Sequence, residues 1–203
     1  MEQRIAEPAD AAAITETVAL AFLHDPVWGP ALARDDGGTD HLVPFWRFLV
    51  ESAVRHGHVS VASEGTTRAA TAAVWLPPDV DELTADEEEQ VDALMAAALT
   101  PASFAAYQLL WTRFEENHPH DRPHMYLSLL ATHPDHRGRG IGQQLLAADL
   151  ARFDAVGLPA YLESTNPAND HRYERAGFRP IGSFRAVLDD AVITQMWREP
   201  SGT

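Results

Sequence analysis

The chain has 203 residues, 45% hydrophobic and 22% charged, enough for one sizeable core and an expected single domain over 1–203. A formal charge of −15 without a basic run argues against a nucleic-acid partner, because neutralising phosphates needs a positive face. The absence of cysteine excludes disulfides, thiolate metal sites and a cysteine nucleophile.

No stretch of about 18 uncharged apolar residues occurs, and the start MEQRIAEPADAAA lacks the basic-then-apolar order of a signal peptide. The expectation is a soluble, cytoplasmic protein with no membrane partner. Residues 3–6 read as a first strand. Pro8 and Asp10 then signal a helix over AAAITETVALAFLH, residues 11–24, with apolar positions at helical spacing. Residues 25–38, rich in Pro, Gly and Asp, read as a loop, and Asp40 to Arg55 as a second helix. HVSVASEG and TRAATAAVWLP flank Gly65-Thr66 and predict an antiparallel hairpin ended by Pro77-Pro78. A helical subregion follows at about 79–118, two helices broken at Pro101. The carboxylates of DVDELTADEEEQ gather near the first helix start, where the dipole tolerates them; they read as a solvated face, with attraction of a cationic substrate as the alternative.

MYLSLLAT, 125–132, is an apolar run of strand length and the candidate central strand. A glycine turn leads into a helix from about Gly140 to Ala155, and PAYLES supplies a second apolar strand. A strand–helix–strand unit of this length favours parallel neighbours. Asn166 before Pro167, with Gly177 beyond, brackets a short helix over 167–176. Two closing strands, about 178–187 and 190–198, complete the pattern.

The chemistry concentrates in HPDHRGRGIGQQLL, 133–146. A helix start has unpaired N–H donors and partial positive charge, and glycines there let an anion approach the backbone. The turn lacks the Gly-Lys-Ser/Thr ending of a triphosphate loop and the Gly-x-Gly-x-x-Gly order of a dinucleotide turn. Taken alone, its glycines suit several phosphates.

Arg137-x-x-Gly140-x-Gly142 behind an apolar strand, with Asn166 seven residues before YERAGF (Tyr173 to Phe178), resembles the GCN5-related N-acetyltransferase (GNAT) superfamily. The likeness runs over nearly the full length and is strongest from about 124 to 180. AFLHDP, AAVWLPP and PAYLESTNPANDHRYERAGF look most like the puromycin N-acetyltransferase group. The resemblance implies an α/β (α+β) GNAT fold: a mixed, mostly antiparallel sheet of six to seven strands with a splayed parallel pair, flanked by helices. It also implies acetyl-CoA as co-substrate, its pyrophosphate on the amides of Gly138, Arg139, Gly140, Ile141, Gly142 and Gln143. The pantetheine would lie beside Leu130, Ala131 and Thr132, and Arg137 or Arg139 would add charge-assisted bonds.

The implied reaction is direct attack of a primary amine on the thioester in a ternary complex. Tyr173 matches the family's general acid, and a phenol's reference pKa of about 10 lies near a thiol's roughly 8.5. Asn166 is either a cofactor contact or simply the N-cap before Pro167, and Asn169 is a similar polar candidate. For the base, Glu163 closes the second parallel strand where relatives place a carboxylate; His124 is the alternative by its pKa range. His118, His120, Asp121 and His124 match no strong metal-ligand spacing, so no metal is expected. Asp25, Trp28 and Trp111 are candidate acceptor contacts, with core packing the competing explanation for the aromatics. A small-molecule amine, antibiotic or metabolite, is the expected acceptor, and the protein a monomer or homodimer. Peptide or protein acetylation and a silent acyl-CoA-binding module are the alternatives.

Overall fold

The computed structural model describes residues 2–202. In chain order the strands are β1 (Glu2–Ile5), β2 (Ser60–Glu64), β3 (Thr67–Leu76), β4 (Met125–Thr132), β5 (Ala160–Ser164), β6 (Arg179–Arg185) and β7 (Val192–Arg198). The helices are α1 (Ala11–Phe22), α2 (Trp28–Ala31), α3 (Leu42–Val54), α4 (Ala85–Ala98), α5 (Pro101–Asn117), α6 (Ile141–Asp154) and α7 (Asp170–Arg175). The strands form one seven-stranded sheet in the order β1-β2-β3-β4-β5-β7-β6. All neighbours are antiparallel except β4 and β5, the parallel pair expected from the strand–helix–strand unit.

That parallel pair is joined only at Met125↔Ala160 and Tyr126↔Tyr161, and beyond these residues the strands separate. The cause lies on the other edge of β4. Val74 pairs with Leu129 and Trp75 with Leu127, which leaves Ser128 as an extra residue in a β-bulge. The bulge reverses the side-chain alternation along the strand. Met125 and Leu127 pack with α6 on one face, whereas Leu129 and Ala131 join the core of α1 and α3 on the other. A continuous apolar strand thus serves both faces of the sheet.

Asp149 of α6 ties that helix to the hairpin beneath it. Its carboxylate, 2% exposed, accepts bonds from Ser60 Oγ (2.5 Å), Trp75 Nε1 (2.8 Å) and Arg152 Nη2 (2.7 Å). At the same helix's far end, Asp154 receives a bidentate Arg198 at 2.7 Å on each oxygen, and Arg198 Nε donates to the Ala176 carbonyl. β7, α6 and the end of α7 are therefore fixed to one another.

Strand and helix ends shift by one or two residues in several places, and three differences from expectation are larger in effect. α1 stops at Phe22 rather than at 24, and residues 25–38 are not wholly loop: they contain the single turn α2. Pro26 disfavours helical backbone at Asp25, and Asp25 Oδ1 then accepts the amides of Val27 (2.9 Å) and Trp28 (3.0 Å), starting a new turn. The predicted helix 167–176 is a 3-10 turn over Pro167–Asn169 followed by α7. It closes with Gly177 at φ 95° and paired bonds Gly177 N–H to Glu174 and Phe178 N–H to Tyr173, the glycine-terminated ending its sequence suggested.

Replacing Asp149 with alanine leaves Ser60 and Trp75 buried without an acceptor. The D149A variant is expected to lose about 3 kcal/mol of unfolding free energy in chemical denaturation, from orphaned polar groups and a broken charge contact.

Candidate functional site

β4 leads through a 3-10 turn at Pro134–His136 into α6, whose N-cap is Gly140 at φ 73°. Gly138 has φ 78°, so both glycines take left-handed backbone that other residues adopt only with strain. A Cβ at either would meet nothing within 4 Å, so the turn is bare on its outer side. No side chain caps α6 and no acidic residue lies in its first turn, leaving the amides of Ile141, Gly142 and Gln143 without an intrahelical partner. Gly142 has a different reason to be glycine. A Cβ there would stand 2.8 Å from the Thr132 hydroxyl, so its absence lets α6 rest against β4.

The two arginines of the turn separate. Arg137 Nη2 donates to the Ala21 carbonyl near the end of α1 (3.1 Å) and borders the cavity in front of the glycines. Arg139 turns to β2, where Nη1 donates to Glu64 Oε2 (2.8 Å), and it does not border that cavity. The cavity measures about 740 Å³. Leu130, Thr132, Gly138, Gly140, Ile141, Gly142 and Gln143 form one side of it, and Glu163 of β5, Asn166 and Asn169 at the two ends of the 3-10 turn that follows, and Tyr173 of α7 also border it. Asp25, Trp28 and Trp111 are also in its wall. Ala131 is not: its side chain is buried and its carbonyl accepts from Thr71 Oγ1 (2.7 Å).

Several candidates have structural duties as well. Asn166 Oδ1 accepts the Ala168 amide (3.1 Å), the cap its position before Pro167 predicts. Both Asp25 oxygens are occupied, Oδ1 by the α2 amides and Oδ2 by Thr165 Oγ1 (2.7 Å), so this carboxylate joins α2 to the end of β5. Trp28 stacks on Phe114 at 5.5 Å and 7°, and meets Trp111 at 5.4 Å. Among the described residues Trp111 Nε1 has no hydrogen-bond partner.

Tyr173 lies on α7 with its ring edge-on to Phe178. Burial pushes its hydroxyl up to about 12, with Asp25 and Asp170 adding to the rise. The phenol therefore keeps its proton over the whole working pH range. Glu163 on β5 has a side chain only 2% exposed, and among the described residues neither carboxylate oxygen accepts a well-formed hydrogen bond. Burial, followed by the negative charge of Glu163, raises the hydroxyls of Tyr126 and Tyr161 above their ordinary value.

His124 lies away from the glycine cavity. It is 7% exposed, its Nδ1–H donates to the Arg122 carbonyl (2.7 Å), and burial lowers its pKa. Its Nε2 lies 3.3 Å from His118 Nε2, and His118 Nδ1 lies 3.5 Å from Glu163 Oε1. The two base candidates thus share a chain of groups, with Glu163 at the cavity end. Among the described residues no group of three or more His, Asp or Glu is arranged to hold a metal ion.

The residue that sequence reasoning missed is Glu82. It belongs to the acidic run read as a solvated face, but Thr84 and Glu87 form a capping box, so α4 begins after it. The loop from Pro77 bends at Asp79 (φ 60°) and turns Glu82 inward. There Ser128 Oγ, on the bulge, donates to Glu82 Oε1. Burial pushes this carboxyl up to about 7 against the lowering effect of Ser128, and Glu163 adds to the rise. Glu87 is the opposite case: Arg55, bonding at 2.6 and 2.9 Å, holds it down to about 2 and fixes the start of α4 to α3. The available signals were a lone serine in an apolar strand and a glutamate just before a capping box.

A second cavity of about 1080 Å³ lies beyond Glu82, between the Pro77–Leu83 loop, α5 and the 118–124 segment. Glu82, Trp111, Phe114 and Tyr126 border both cavities, so these four residues stand at their junction.

Comparison with known proteins agrees with this architecture. A solved Corynebacterium glutamicum structure, described as histone acetyltransferase HPA2 and related acetyltransferase, superimposes with a TM-score of 0.74 at 25% identity, covering 99% of this chain and 97% of that one. Arylalkylamine N-acetyltransferase 2 of Aedes aegypti shares the fold at a TM-score of 0.68 and 12% identity, covering 98% and 99% of the two chains. The polyamine N-acetyltransferase of Drosophila melanogaster shares it at 0.67 and 16%, with the same coverage. In sequence, 76 residues are 33% identical to the mycothiol acetyltransferase of Propionibacterium freudenreichii subsp. shermanii, 36% of this chain. The match spans only 24% of that longer relative. A sequence model of the acetyltransferase (GNAT) family matches residues 55–178, from the end of α3 to the start of β6. The chain belongs to the GNAT acetyltransferase family.

Proposed function

We propose that the protein is an acetyl-CoA-dependent N-acetyltransferase acting on the primary amine of a small molecule. The observation that carries this reading is one cavity wall combining the uncapped start of α6, the freed edge of β4 and the Tyr173 hydroxyl. The fit to the co-substrate follows from the turn. Open space over Gly138 and Gly140, several unpaired amides and Arg137 suit a diphosphate better than any neutral group. Leu130 and Thr132 continue that wall along β4, where separation from β5 leaves backbone groups free for a pantetheine arm. Arg139 and Ala131 have no part in this reading, the first engaged with Glu64 and the second with its side chain in the core.

Acetyl-CoA, when bound, supplies an acyl group activated as a thioester. The chain's own residues orient the reactants, remove a proton from the ammonium and give one to the leaving sulfur. Tyr173 suits the last task because it stays protonated at neutral pH. Its raised pKa makes it a hydrogen-bond donor first; full transfer requires the thiolate to be desolvated in the same cavity. Without cysteine in the sequence, a thioester-linked enzyme is excluded, which supports direct attack. The unpartnered oxygens of Glu163 give an ammonium group something to hydrogen-bond.

A small acceptor is supported by the aromatic rings of Trp28, Trp111, Phe114 and Tyr126 in the wall of the first cavity. The two insect neighbours that share the fold, described as arylalkylamine and polyamine N-acetyltransferases, are in keeping with such an acceptor. The expected setting is the cytoplasm, where acetyl-CoA is available. Among the described residues no helix is long and apolar enough to cross a membrane.

Saturating acetyl-CoA or CoA should raise the melting temperature by roughly 5 to 10 °C, and ATP should have little effect. Absence of a shift with both CoA species in thermal denaturation contradicts the reading. In an amine panel read by release of free CoA thiol, Tyr173→Phe is expected to lower kcat about 100-fold with the affinity for acetyl-CoA unchanged within about twofold. Loss of affinity instead assigns Tyr173 to structure.

A further inference from the structure

Glu82 and the second cavity have no part in the account above, although the glutamate stands where the two cavities meet. We propose that the second cavity is the entrance for the acceptor, and that Glu82, held by the Ser128 hydroxyl, receives the primary ammonium and takes its proton. This rests on the N-acetyltransferase reading and adds to it the acceptor's route and its proton acceptor.

Three observations converge. The glycine turn, Arg137 and the free edge of β4 occupy the first cavity, leaving a second reactant to reach the β4–β5 gap from another side. The second cavity does so through Glu82, Trp111, Phe114 and Tyr126. Next, Glu163 is nearly fully buried and borders the first cavity beside this junction; among the described residues its oxygens accept no well-formed hydrogen bond, the nearest donor being His118 Nδ1 at 3.5 Å, so the carboxylate has room for a better donor. An alkylammonium offers three N–H donors and a positive charge, which satisfies both carboxylates, while aromatic faces accommodate the adjoining carbon atoms. Finally, Ser128 is the bulge residue, so the distortion that separates β4 from β5 also places the hydroxyl that anchors Glu82.

The groups around Glu82 set its proton affinity. Ser128 and Tyr126 approach from β4, Glu163 from β5, and Glu115 and His118 from the end of α5, while Asp81 is its chain neighbour. His124 and Tyr161 lie behind His118. Desolvation and the nearby carboxylates bring Glu82 to about 7, close to the working pH, where a base is most effective. Glu82 accepts the first ammonium proton and passes it to water in the second cavity. The nitrogen lone pair then forms the C–N bond to the acyl carbon as the C–S bond breaks. The second proton lost from nitrogen follows through Glu82 to water, and Tyr173, having protonated the sulfur, regains a proton from water, so one net proton is released per turnover.

Binding and turnover can be separated experimentally. Phenethylamine, 1,4-diaminobutane and ethanolamine serve as ammonium probes with the full chain saturated with CoA. Binding is read by tryptophan fluorescence from pH 5.5 to 8.5, and turnover by thiol release with acetyl-CoA. For the wild type, the affinity of at least one probe should weaken about tenfold per pH unit below about 7 and level off above it. Glu82→Gln should remove this inflection, whereas Glu163→Gln should retain it, moved to lower pH by loss of the neighbouring charge, at weaker affinity. Ser128→Ala provides a readout that a structural role would not move: losing a bond to the ionised carboxylate should shift the inflection upward. The folded pKa of Glu82 lies above its ordinary value, so its ionisation costs stability as pH rises through about 7, and E82Q should melt no lower than wild type at pH 8. An inflection retained in E82Q or lost in E163Q overturns the proposal, as does failure of all three probes to bind at pH 8. Thiol release with unchanged pH dependence in E82Q refutes the role of Glu82 and leaves acetyl transfer standing. Glu82-dependent binding with no thiol release from any amine does the reverse.

Discussion

One additional residue in β4 determines how the centre of this protein is arranged. Because Ser128 has no partner on β3, the strand reverses its side-chain alternation and is joined to β5 by only two residue pairs. Two neighbouring strands with free backbone groups inside a core are costly unless something fills the gap between them. In this protein the gap is where the glycine cavity and the second cavity meet, and where Ser128, Glu82, Glu163 and Tyr126 lie close together. Asp149 and the Arg198–Asp154 pair hold α6 and β7 firmly on either side, so the gap is set by a rigid surround.

Electrostatics divide the site in two. The side formed by the start of α6 has unpaired amides, Arg137 and no carboxylate in the first helical turn, which favours an anion. The side beneath α4 and α5 has the nearly fully buried Glu163 side chain and the half-buried Glu82 among aromatic rings and favours a cation that brings its own donors. A chain with formal charge −15 thus reserves local positive potential for one turn while concentrating inward-facing carboxylates at another. The opposed preferences are those the proposed reaction needs, one reactant carrying phosphates and the other an ammonium.

Most of the fold was legible because its signals are local. The hairpin at Gly65, the strand–helix–strand unit around the glycine turn, the break at Pro101 and the glycine ending of α7 each rest on period or turn chemistry within a few residues. The grouping of Leu130, Thr132, Arg137 and the three glycines around one cavity was similarly legible, since these residues are close in sequence. Residues whose direction depends on a distant partner were harder to read. Arg139 was indistinguishable from Arg137 until Glu64 of β2 was seen to hold it, and Asp25 resembled a free carboxylate until Thr165 and the α2 amides occupied it. Glu82 was concealed by composition: in a run of carboxylates only its place just before the capping box separates the inward residue from the solvated ones.

The central claim is that the turn before α6 and the free edge of β4 form a single surface for acetyl-CoA. Amide hydrogen exchange with and without acetyl-CoA tests it most directly. The account predicts added protection concentrated in the peptides spanning Gly138 to Gln143 and Leu130 to Thr132, with little change in β1 or β2. Protection absent from the glycine turn, or confined to α4 and α5, would contradict it.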